Sequence, residues 1–168
     1  MKELKDKNIH SRGYIPHIEG ADYQFVTYRL FDSLPKKVLL DVMYFDAEKQ
    51  FKYLNHYLNQ GLGSCLLRFK KNAEIVIKGW QHFDALRYKV VAYVVMPNHV
   101  HILIKVLKNF KLSEIVHSWK SFTAKKIKTD EVDKVWFREY FDRYIRDEDH
   151  FNRVIDYIKQ NPVKAGLV

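Results

Sequence analysis

The sequence predicts an α+β protein in which helices cover one face of an antiparallel sheet. Two observations lead to this prediction. Four apolar segments are rich in aromatic and β-branched residues, which is typical of strands. The segments between them have apolar residues at helical spacing, and the resulting order is β, α, α, β, β, α, β, α. Such an order suits an antiparallel sheet better than a parallel one.

The four predicted strands cover residues 23–31, 88–96, 99–106 and 135–145. Ser33–Pro35 is expected to end the first strand, because proline interrupts strand hydrogen bonding. Pro97 and Asn98 are typical turn residues and lie between the second and third strands. These two strands are therefore predicted to form a hairpin, and we expect both to be central in the sheet.

The predicted helices cover residues 36–60, 66–86, 111–129 and 147–161. Asp46 is expected to cap a helix over 47–59 that stops at Gly61, and Ser113 and Asp147 are expected to cap the last two helices. Residues 1–20 contain few apolar residues and are predicted to form an arm. The length of 168 residues suits one domain spanning 1–168.

The charge of the chain suggests a polyanionic partner. Lysine and arginine number 29 against 20 acidic residues, which gives a formal net charge of +9. Cations that neutralise phosphates release counterions and so favour association with nucleic acid. The alternative is a protein that is basic without binding DNA. The candidate DNA contacts are Lys120, Lys125, Lys126, Arg138, Arg143 and Arg146, together with Arg12, Tyr14 and His17 in the arm. Each of them alone is equally well explained as solvated surface.

The expected compartment is a reducing cytoplasm. Cys65 is the single cysteine, so the chain can form neither an internal disulfide nor a cysteine-based zinc site. Residues 1–13 lack the apolar core of a signal peptide. No apolar window reaches the length of a membrane span, so we expect no membrane association.

His99 and His101 are the first candidate site residues. Their i, i+2 spacing on a strand directs both imidazoles to one face, opposite Val100 and Ile102. Two imidazoles on one face can grip a cation. The spacing alone equally allows two histidines that are only hydrogen-bonded to their neighbours.

Tyr157 and Asn161 lie four residues apart in the last predicted helix, so they stack on one side of it. That side borders the apolar stripe that contains Val154 and Ile158. Tyr157 is thus predicted to place its ring against the core and its hydroxyl at the margin. A boundary tyrosine with a water-bound hydroxyl is the alternative.

Three separated segments of the chain resemble one family. "MPNHVHILI" (96–104) resembles the His-hydrophobic-His motif of HUH endonucleases. "DRYIRDEDHFNRVIDYIKQNPVKAGLV" (142–168) is similar to the C-terminal signature of REP-associated tyrosine transposases, which are single-tyrosine HUH transposases. "SRGYIPHIEGADYQFVTYRLFDSLP" (11–35) is also similar to members of that group. The resemblance covers nearly the whole chain, and the three segments agree in order and spacing.

The resemblance implies a role for each candidate residue. His99 and His101 match the paired metal ligands, Asn161 matches the third ligand, and Tyr157 matches the nucleophile before the "NPV" segment. It implies a ferredoxin-like (RRM-like) fold with the histidines on a central strand. It also implies a divalent metal, Mg²⁺ or Mn²⁺, and a single-stranded DNA partner with a hairpin, such as a REP-like or insertion-sequence end.

The expected function is therefore a metal-dependent endonuclease and strand-transferase that forms a 5′-phosphotyrosine intermediate on single-stranded DNA. Strand exchange needs two cleavages, and a homodimer would supply the second nucleophile. Two alternatives remain open from the sequence. One is a catalytically inactive RRM-like nucleic-acid-binding module, and the other is a protein-binding module in which the histidines hold structural zinc.

Overall fold

The structure is a computed structural model that describes residues 22–127 and 129–168 and the backbone of 9–11 and 16–18. The strands in these ranges are β1 (Ile9–Ser11), β2 (Pro16–Ile18), β3 (Tyr23–Leu30), β4 (Tyr88–Val95), β5 (His99–Val106) and β6 (Trp136–Tyr144). The α-helices are α1 (Lys36–Asp41), α2 (Ala47–Leu58), α3 (Lys70–Gln81), α4 (Leu112–Lys126) and α5 (Glu148–Lys164). No described helix is long and apolar enough to cross a membrane.

The main sheet has four strands in the order β4-β5-β3-β6, and every neighbouring pair is antiparallel. With helices between β3 and β4 and between β5 and β6, this is the ferredoxin-like arrangement. The predicted α+β fold class is confirmed, and so is the position of the His-x-His motif on a central strand. β4 and β5 pair as predicted, but the central position expected for β4 is wrong. It lies at the edge, because β3 inserts between β5 and β6 and takes the second central place.

The prediction of helices on one face of the sheet is also wrong, because helices cover both faces. α3 and α4 pack on the face that carries Val26, Tyr28 and Ile102. α5 packs on the opposite face, where its Val154 and Ile158 contact Phe25 and Leu103, and α2 reaches the same face through Phe51. The physical reason is that β5 is buried on both sides, including its histidines.

Several helix boundaries differ from the predicted ones. The 36–60 segment divides into α1, a 3₁₀ turn at Val42–Tyr44, and α2. Asp46 caps α2 as predicted, since its side chain accepts a hydrogen bond of 2.9 Å from the Lys49 amide. Ser113 is not a cap, because α4 already begins at Leu112. In the predicted 66–86 helix, a 3₁₀ turn at Leu66–Arg68 precedes α3.

α5 carries two of the candidate site residues and is longer than predicted. Asp147 caps its first turn as predicted, accepting a 2.7 Å hydrogen bond from the His150 amide. The helix continues through Pro162 to Lys164 instead of ending at 161. Asn161 is therefore held within a regular helical turn. In the predicted arm, β1 and β2 form a short antiparallel pair that was not predicted from the sequence.

Candidate active site

β5 places His99 and His101 side by side on the face that α5 covers. Both side chains are fully buried, and their ring centroids lie 4.8 Å apart at an interplanar angle of 82°. Val100 and Ile102 point to the opposite face, into the core beneath α3 and α4. This is the alternation that the sequence predicts for a strand.

A hydrogen bond at Nδ1 orients each imidazole. His99 Nδ1 lies 2.8 Å from Asn98 Oδ1. Because an amide oxygen only accepts, His99 carries its proton on Nδ1, and its Nε2 presents a lone pair. His101 Nδ1 lies 2.6 Å from Thr27 Oγ1. In both rings the hydrogen bond fixes the imidazole and leaves Nε2 available.

Neither Nε2 atom has a hydrogen-bond partner within residues 22–127 and 129–168, although both are buried. Burial disfavours the charged imidazolium and lowers the pKa of His99 to about 3. Burial, followed by the neighbouring His99, lowers the pKa of His101 well below its ordinary value. Both histidines are therefore neutral at pH 7, which is the form that binds metals. The alternative of two histidines that serve only as hydrogen-bonding residues does not account for two buried Nε2 atoms without partners in the described ranges.

α5 brings Tyr157 to the same place. Its ring lies 5.2 Å from the His101 ring, at 75°, and it also contacts Phe25 at 5.8 Å and Phe51 at 5.7 Å between ring centroids. The three neighbouring rings hold the tyrosine in an aromatic cluster. Its hydroxyl is buried and has no hydrogen-bond partner in the described part of the chain.

The environment of Tyr157 determines its protonation. Burial raises the pKa of its phenol to about 12, and the Asn161 side chain and then the Arg143 guanidinium lower it by smaller amounts. The Asn161 side chain is thus close enough to the phenol to favour its charged form. At pH 7 the resting hydroxyl therefore keeps its proton.

Asn161 completes the group. It is 1% exposed, and its Oδ1 lacks a hydrogen-bond partner among the described residues. The structure thus links the four residues predicted as ligands and nucleophile: the His99 ring neighbours that of His101, the His101 ring contacts Tyr157, and the Asn161 side chain acts on the Tyr157 phenol. Their unpartnered buried atoms comprise two imidazole nitrogens, an amide oxygen and a phenol oxygen. No cluster of three or more histidine, cysteine or acidic side chains suited to a metal occurs in the described ranges, this site included, because its third candidate ligand is an amide. Two nitrogens and one neutral oxygen fit a divalent cation that keeps open positions.

The predicted DNA contacts separate into different environments. Arg143 lies closest to the site, with its guanidinium carbon 5.0 Å from the Phe51 ring centroid. Lys120 is already engaged, because its ammonium donates to the carbonyls of Phe137 at 2.6 Å and Arg138 at 2.7 Å. Burial lowers the pKa of Lys120 to about 8. It therefore serves first to tie α4 to β6.

The remaining predicted contacts lie at the surface or outside the described residues. Lys125, Lys126, Arg138 and Arg146 are exposed. Arg12 and Tyr14 lie outside the described residues, and His17 is described only as part of the β2 backbone. The surface cations remain compatible with phosphate binding, and the arm contacts stay predictions.

Three residues around the site were not predicted from the sequence. Thr27 and Asn98 bond the two histidines, and Arg29 is the direct cross-strand partner of His99. Cross-strand partners direct their side chains to the same face. The available signal was the pattern of β3, in which Thr27 and Arg29 alternate with apolar residues. That pattern indicates that Thr27 and Arg29 share one face of the sheet, but it does not show which helices pack on that face.

Comparison with known proteins gives a family and a fold. The family model described as "Transposase IS200 like" matches residues 52–161. This range contains His99, His101, Tyr157 and Asn161. The chain also resembles an uncharacterized protein of Haemophilus influenzae, with 26% identity across 45% of this chain and 54% of that protein. It thus spans about half the length of this curated relative.

Among solved structures, the chain is similar to a REP-associated tyrosine transposase bound to a REP hairpin. The TM-score is 0.55 at 20% sequence identity, and the match covers 95% of this chain and 74% of that chain. The comparison establishes a common fold over almost the whole chain. It agrees with the resemblance found in the three sequence segments.

Proposed function

Because the chain belongs to the IS200-like transposase family, we propose that it is a metal-dependent endonuclease and strand-transferase acting on single-stranded DNA through Tyr157. One observation carries this proposal. The Tyr157 hydroxyl, two imidazole nitrogens and the Asn161 amide oxygen are each buried without a hydrogen-bond partner among the described residues, and their side chains form a chain of neighbours from His99 through His101 and Tyr157 to Asn161. Unpaired polar atoms are costly in a protein interior. Four of them on neighbouring side chains indicate a site arranged for something other than stability.

His99 Nε2, His101 Nε2 and Asn161 Oδ1 would hold a Mg²⁺ or Mn²⁺ ion. Such an ion, when bound, stabilises the negative charge that develops on a phosphate under attack. Asn98 and Thr27 keep the two rings in the orientation that this requires. The neutral state of both histidines at pH 7 suits the role, since protonated imidazoles cannot bind a cation.

Tyr157 supplies the nucleophile. Its oxygen forms a bond to phosphorus while the bond from phosphorus to the 3′-oxygen breaks. The tyrosine gives up its proton and the departing 3′-oxygen takes one up, so charge and atoms balance. Since burial raises the pKa of the phenol to about 12, the proton leaves as the new bond forms. The product is a 5′-phosphotyrosine bond that keeps the energy needed to rejoin a strand.

Arg143 and the aromatic rings assist the nucleophile. The positive charge of Arg143 lowers the pKa of Tyr157 against the effect of burial. The same charge can attract the phosphate as it approaches. Phe25 and Phe51 hold the tyrosine ring from two sides, which limits the directions in which its oxygen can point.

The proposed substrate is single-stranded DNA with a hairpin. The net charge of +9 and the exposed cations of α4 and β6 support a phosphate-rich partner. A solved protein of the same fold is bound to a REP hairpin, which supports a hairpin end as the partner here. One chain has one such nucleophile, so a homodimer would supply the second cleavage of a strand exchange.

The test is a covalent adduct. The protein is incubated with Mn²⁺ and a labelled single-stranded hairpin oligonucleotide taken from DNA flanking its gene, and then boiled in detergent. A phosphodiester to tyrosine survives denaturation, so the label should migrate with the protein. Tyr157→Phe should abolish the adduct. Tyr144→Phe, which also removes one hydroxyl near the C-terminus, should retain it.

Other outcomes assign other functions. Cleavage without an adduct would indicate a hydrolytic nuclease. Binding without cleavage would favour the RRM-like binding module. An adduct that persists in Tyr157→Phe and disappears in Tyr144→Phe would move the nucleophile to Tyr144.

A further inference from the structure

A short loop of the chain lies against two turns at the end of the main sheet where β5 begins. The loop consists of residues 61–64 and follows α2. One turn contains Asp32 and follows β3, and the other contains Asn98 and joins β4 to β5 directly before His99. Hydrogen bonds from the loop reach both turns. The loop therefore has a defined position relative to the first proposed metal ligand.

The loop is fastened to the Asp32 turn by its backbone and one side chain. Asp32 Oδ2 accepts a 2.7 Å hydrogen bond from the Ser64 amide, and its Oδ1 lies 3.2 Å from the Ser64 hydroxyl. Gly63 has a φ of +85°, and a Cβ placed on it would lie 2.5 Å from the backbone oxygen of Asp32. A backbone oxygen cannot move aside as a flexible side chain can, so glycine permits this close approach. The attachment thus depends on Gly63 and on the carboxylate of Asp32.

The loop also holds the side chain of Asn98. This residue is 0% exposed, and its Nδ2 donates a 3.0 Å hydrogen bond to the Leu62 carbonyl oxygen. A side-chain amide has its donor on one side and its acceptor on the other. Because the Leu62 oxygen can only accept, it keeps Nδ2 facing the loop. The Oδ1 atom of Asn98 is thereby directed toward His99 Nδ1, which lies 2.8 Å away.

The orientation of this amide decides which nitrogen of His99 is free. While Oδ1 faces the ring, Nδ1 must carry the proton, and Nε2 presents a lone pair. If the amide were reversed, its NH₂ group would face Nδ1, which would then have to accept. The proton of the neutral ring would move to Nε2, and a protonated Nε2 cannot bind a metal ion.

We propose that the 61–64 loop, fastened by Asp32, is a positioning element that selects the metal-binding tautomer of His99. Asp32, Gly63 and Ser64 are then positioning residues that act through Asn98. The inference rests on the proposed function, which assigns His99 as a metal ligand. The loop acts on His99 alone, because the Thr27 hydroxyl at His101 Nδ1 can donate or accept and so permits either tautomer.

The experiment reads the tautomer directly in the metal-free protein. The full chain is labelled with ¹⁵N-histidine, and long-range ¹H–¹⁵N correlation spectra at neutral pH distinguish a protonated ring nitrogen from a bare one. The signals of His99 are identified by their loss in His99→Gln. We expect the unsubstituted protein to carry the His99 proton on Nδ1. Titration calorimetry then measures the Mn²⁺ affinity of the same samples.

Two variants release the loop. Asp32→Ala removes the acceptor of both Ser64 hydrogen bonds, and Gly63→Ala forces the loop away from the Asp32 backbone. In each variant we expect a second population of His99 with its proton on Nε2. Mn²⁺ affinity should fall about tenfold, as is typical when the support of a metal ligand is lost. Asp32→Asn keeps an oxygen that can accept from the Ser64 amide, so it should restore most of the affinity.

Asp46→Ala is the matched control. It also removes a carboxylate that accepts from a backbone amide, 2.9 Å from the Lys49 nitrogen, but at the start of α2. This variant should lower the melting temperature and change neither the tautomer of His99 nor the Mn²⁺ affinity. If the loop had only a structural role, Asp32→Ala would give the same result as Asp46→Ala.

A double variant tests whether the effect passes through Asn98. Asn98→Ala removes the link between the loop and the His99 ring. In that background Asp32→Ala should cause no further loss of Mn²⁺ affinity, because two changes on one path are not additive. Additive losses would contradict the proposed path from the loop to His99.

The outcomes separate this proposal from the proposed function. The positioning role fails if the unsubstituted protein carries the His99 proton on Nε2. It also fails if Asp32→Ala and Gly63→Ala are folded and keep the proton wholly on Nδ1. If the tautomer responds to the loop but the unsubstituted protein binds no Mn²⁺, the metal assignment fails and the control of His99 by the loop stands. Thermal melting shows whether each variant is folded, and should Gly63→Ala not fold, Asp32→Ala decides.

Discussion

Thr27 Oγ1 lies 2.6 Å from His101 Nδ1 and joins the two central strands of the sheet through side chains. The two residues are direct cross-strand partners, so β-sheet register itself sets this distance. The bond ties the orientation of a proposed metal ligand to the pairing of β3 with β5. Loss of that bond should therefore lower the metal affinity more than it lowers the stability of the fold.

The Thr27 hydroxyl should therefore affect metal affinity. Thr27→Val keeps the shape of the side chain but removes the hydroxyl, and we expect Mn²⁺ affinity to fall by about 10–100-fold. Thr27→Ser keeps the hydroxyl, and its Mn²⁺ affinity should stay within about threefold of that of the unsubstituted protein. Titration calorimetry with Mn²⁺ in the absence of DNA measures both. Equal affinities for Thr27→Val and Thr27→Ser would contradict a positioning role.

The proposed ligands should differ in their contributions. His99→Ala and His101→Ala should each abolish measurable Mn²⁺ binding and adduct formation, because each removes an imidazole nitrogen that has no substitute nearby. Asn161→Ala should be milder, because a neutral amide oxygen is a weaker ligand than an imidazole. Circular dichroism provides the control for folding. Undiminished cleavage by a His99→Ala/His101→Ala double variant would disprove the metal assignment.

Tyr157→Phe should separate stability from activity. The Tyr157 hydroxyl is buried without a partner among the described residues, so its removal should leave the free energy of unfolding unchanged or raise it by about 1 kcal/mol. Tyr28→Phe is the comparison, because the Tyr28 hydroxyl accepts a 2.9 Å hydrogen bond from Trp80 Nε1. In that variant the free energy of unfolding should fall by about 1–3 kcal/mol. Urea denaturation measures both, and a loss in Tyr157→Phe as large as in Tyr28→Phe would mean that its hydroxyl has a structural partner.

Acid should destabilise the metal-free protein through His99 and His101. Burial places the pKa of His99 at about 3 and that of His101 well below its ordinary value, whereas both are about 6.5 in the unfolded chain. Below pH 6.5 the unfolded state therefore binds more protons than the folded state. Stability is fully present above that pH and declines toward pH 3, by about 1.4 kcal/mol per pH unit for each histidine.

Urea denaturation at pH 7, 6 and 5 measures this decline, before most carboxylates titrate. The His99→Gln/His101→Gln double variant should show a much flatter pH profile. A profile as steep as that of the unsubstituted protein would mean that other groups cause the acid sensitivity.

Much of the site could be predicted because it depends on local geometry. The i, i+2 spacing of His99 and His101 fixes a common face on any strand, and the i, i+4 spacing of Tyr157 and Asn161 fixes a common side of any helix. Family resemblance supplied the expectation that these two surfaces meet. The Asp46 and Asp147 caps were predictable for the same local reason.

The rest depends on contacts between distant segments. β3 inserts beside β5, and this places Thr27 and Arg29 next to the histidines, which no local pattern shows. Helices cover the second face because α5, which follows the last strand, and Phe51 of α2 pack against it, and they bury the polar residues there. The last helix was predicted to end at residue 161, but Pro162 removes only one hydrogen bond and the packed helix continues to Lys164.

The burial of the candidate site has a kinetic consequence. His99 Nε2, His101 Nε2, Asn161 Oδ1 and the Tyr157 hydroxyl are all shielded from solvent, so an ion cannot reach them by diffusion alone. If a metal binds at the proposed ligands, α5 or its neighbours would first have to move away, and the rate of that opening would limit the rate of uptake. Uptake of Mn²⁺ in stopped flow should then reach a plateau as its concentration rises, at the opening rate of the protein. Substitutions that loosen the packing of α5, such as Ile158→Val, should raise that plateau.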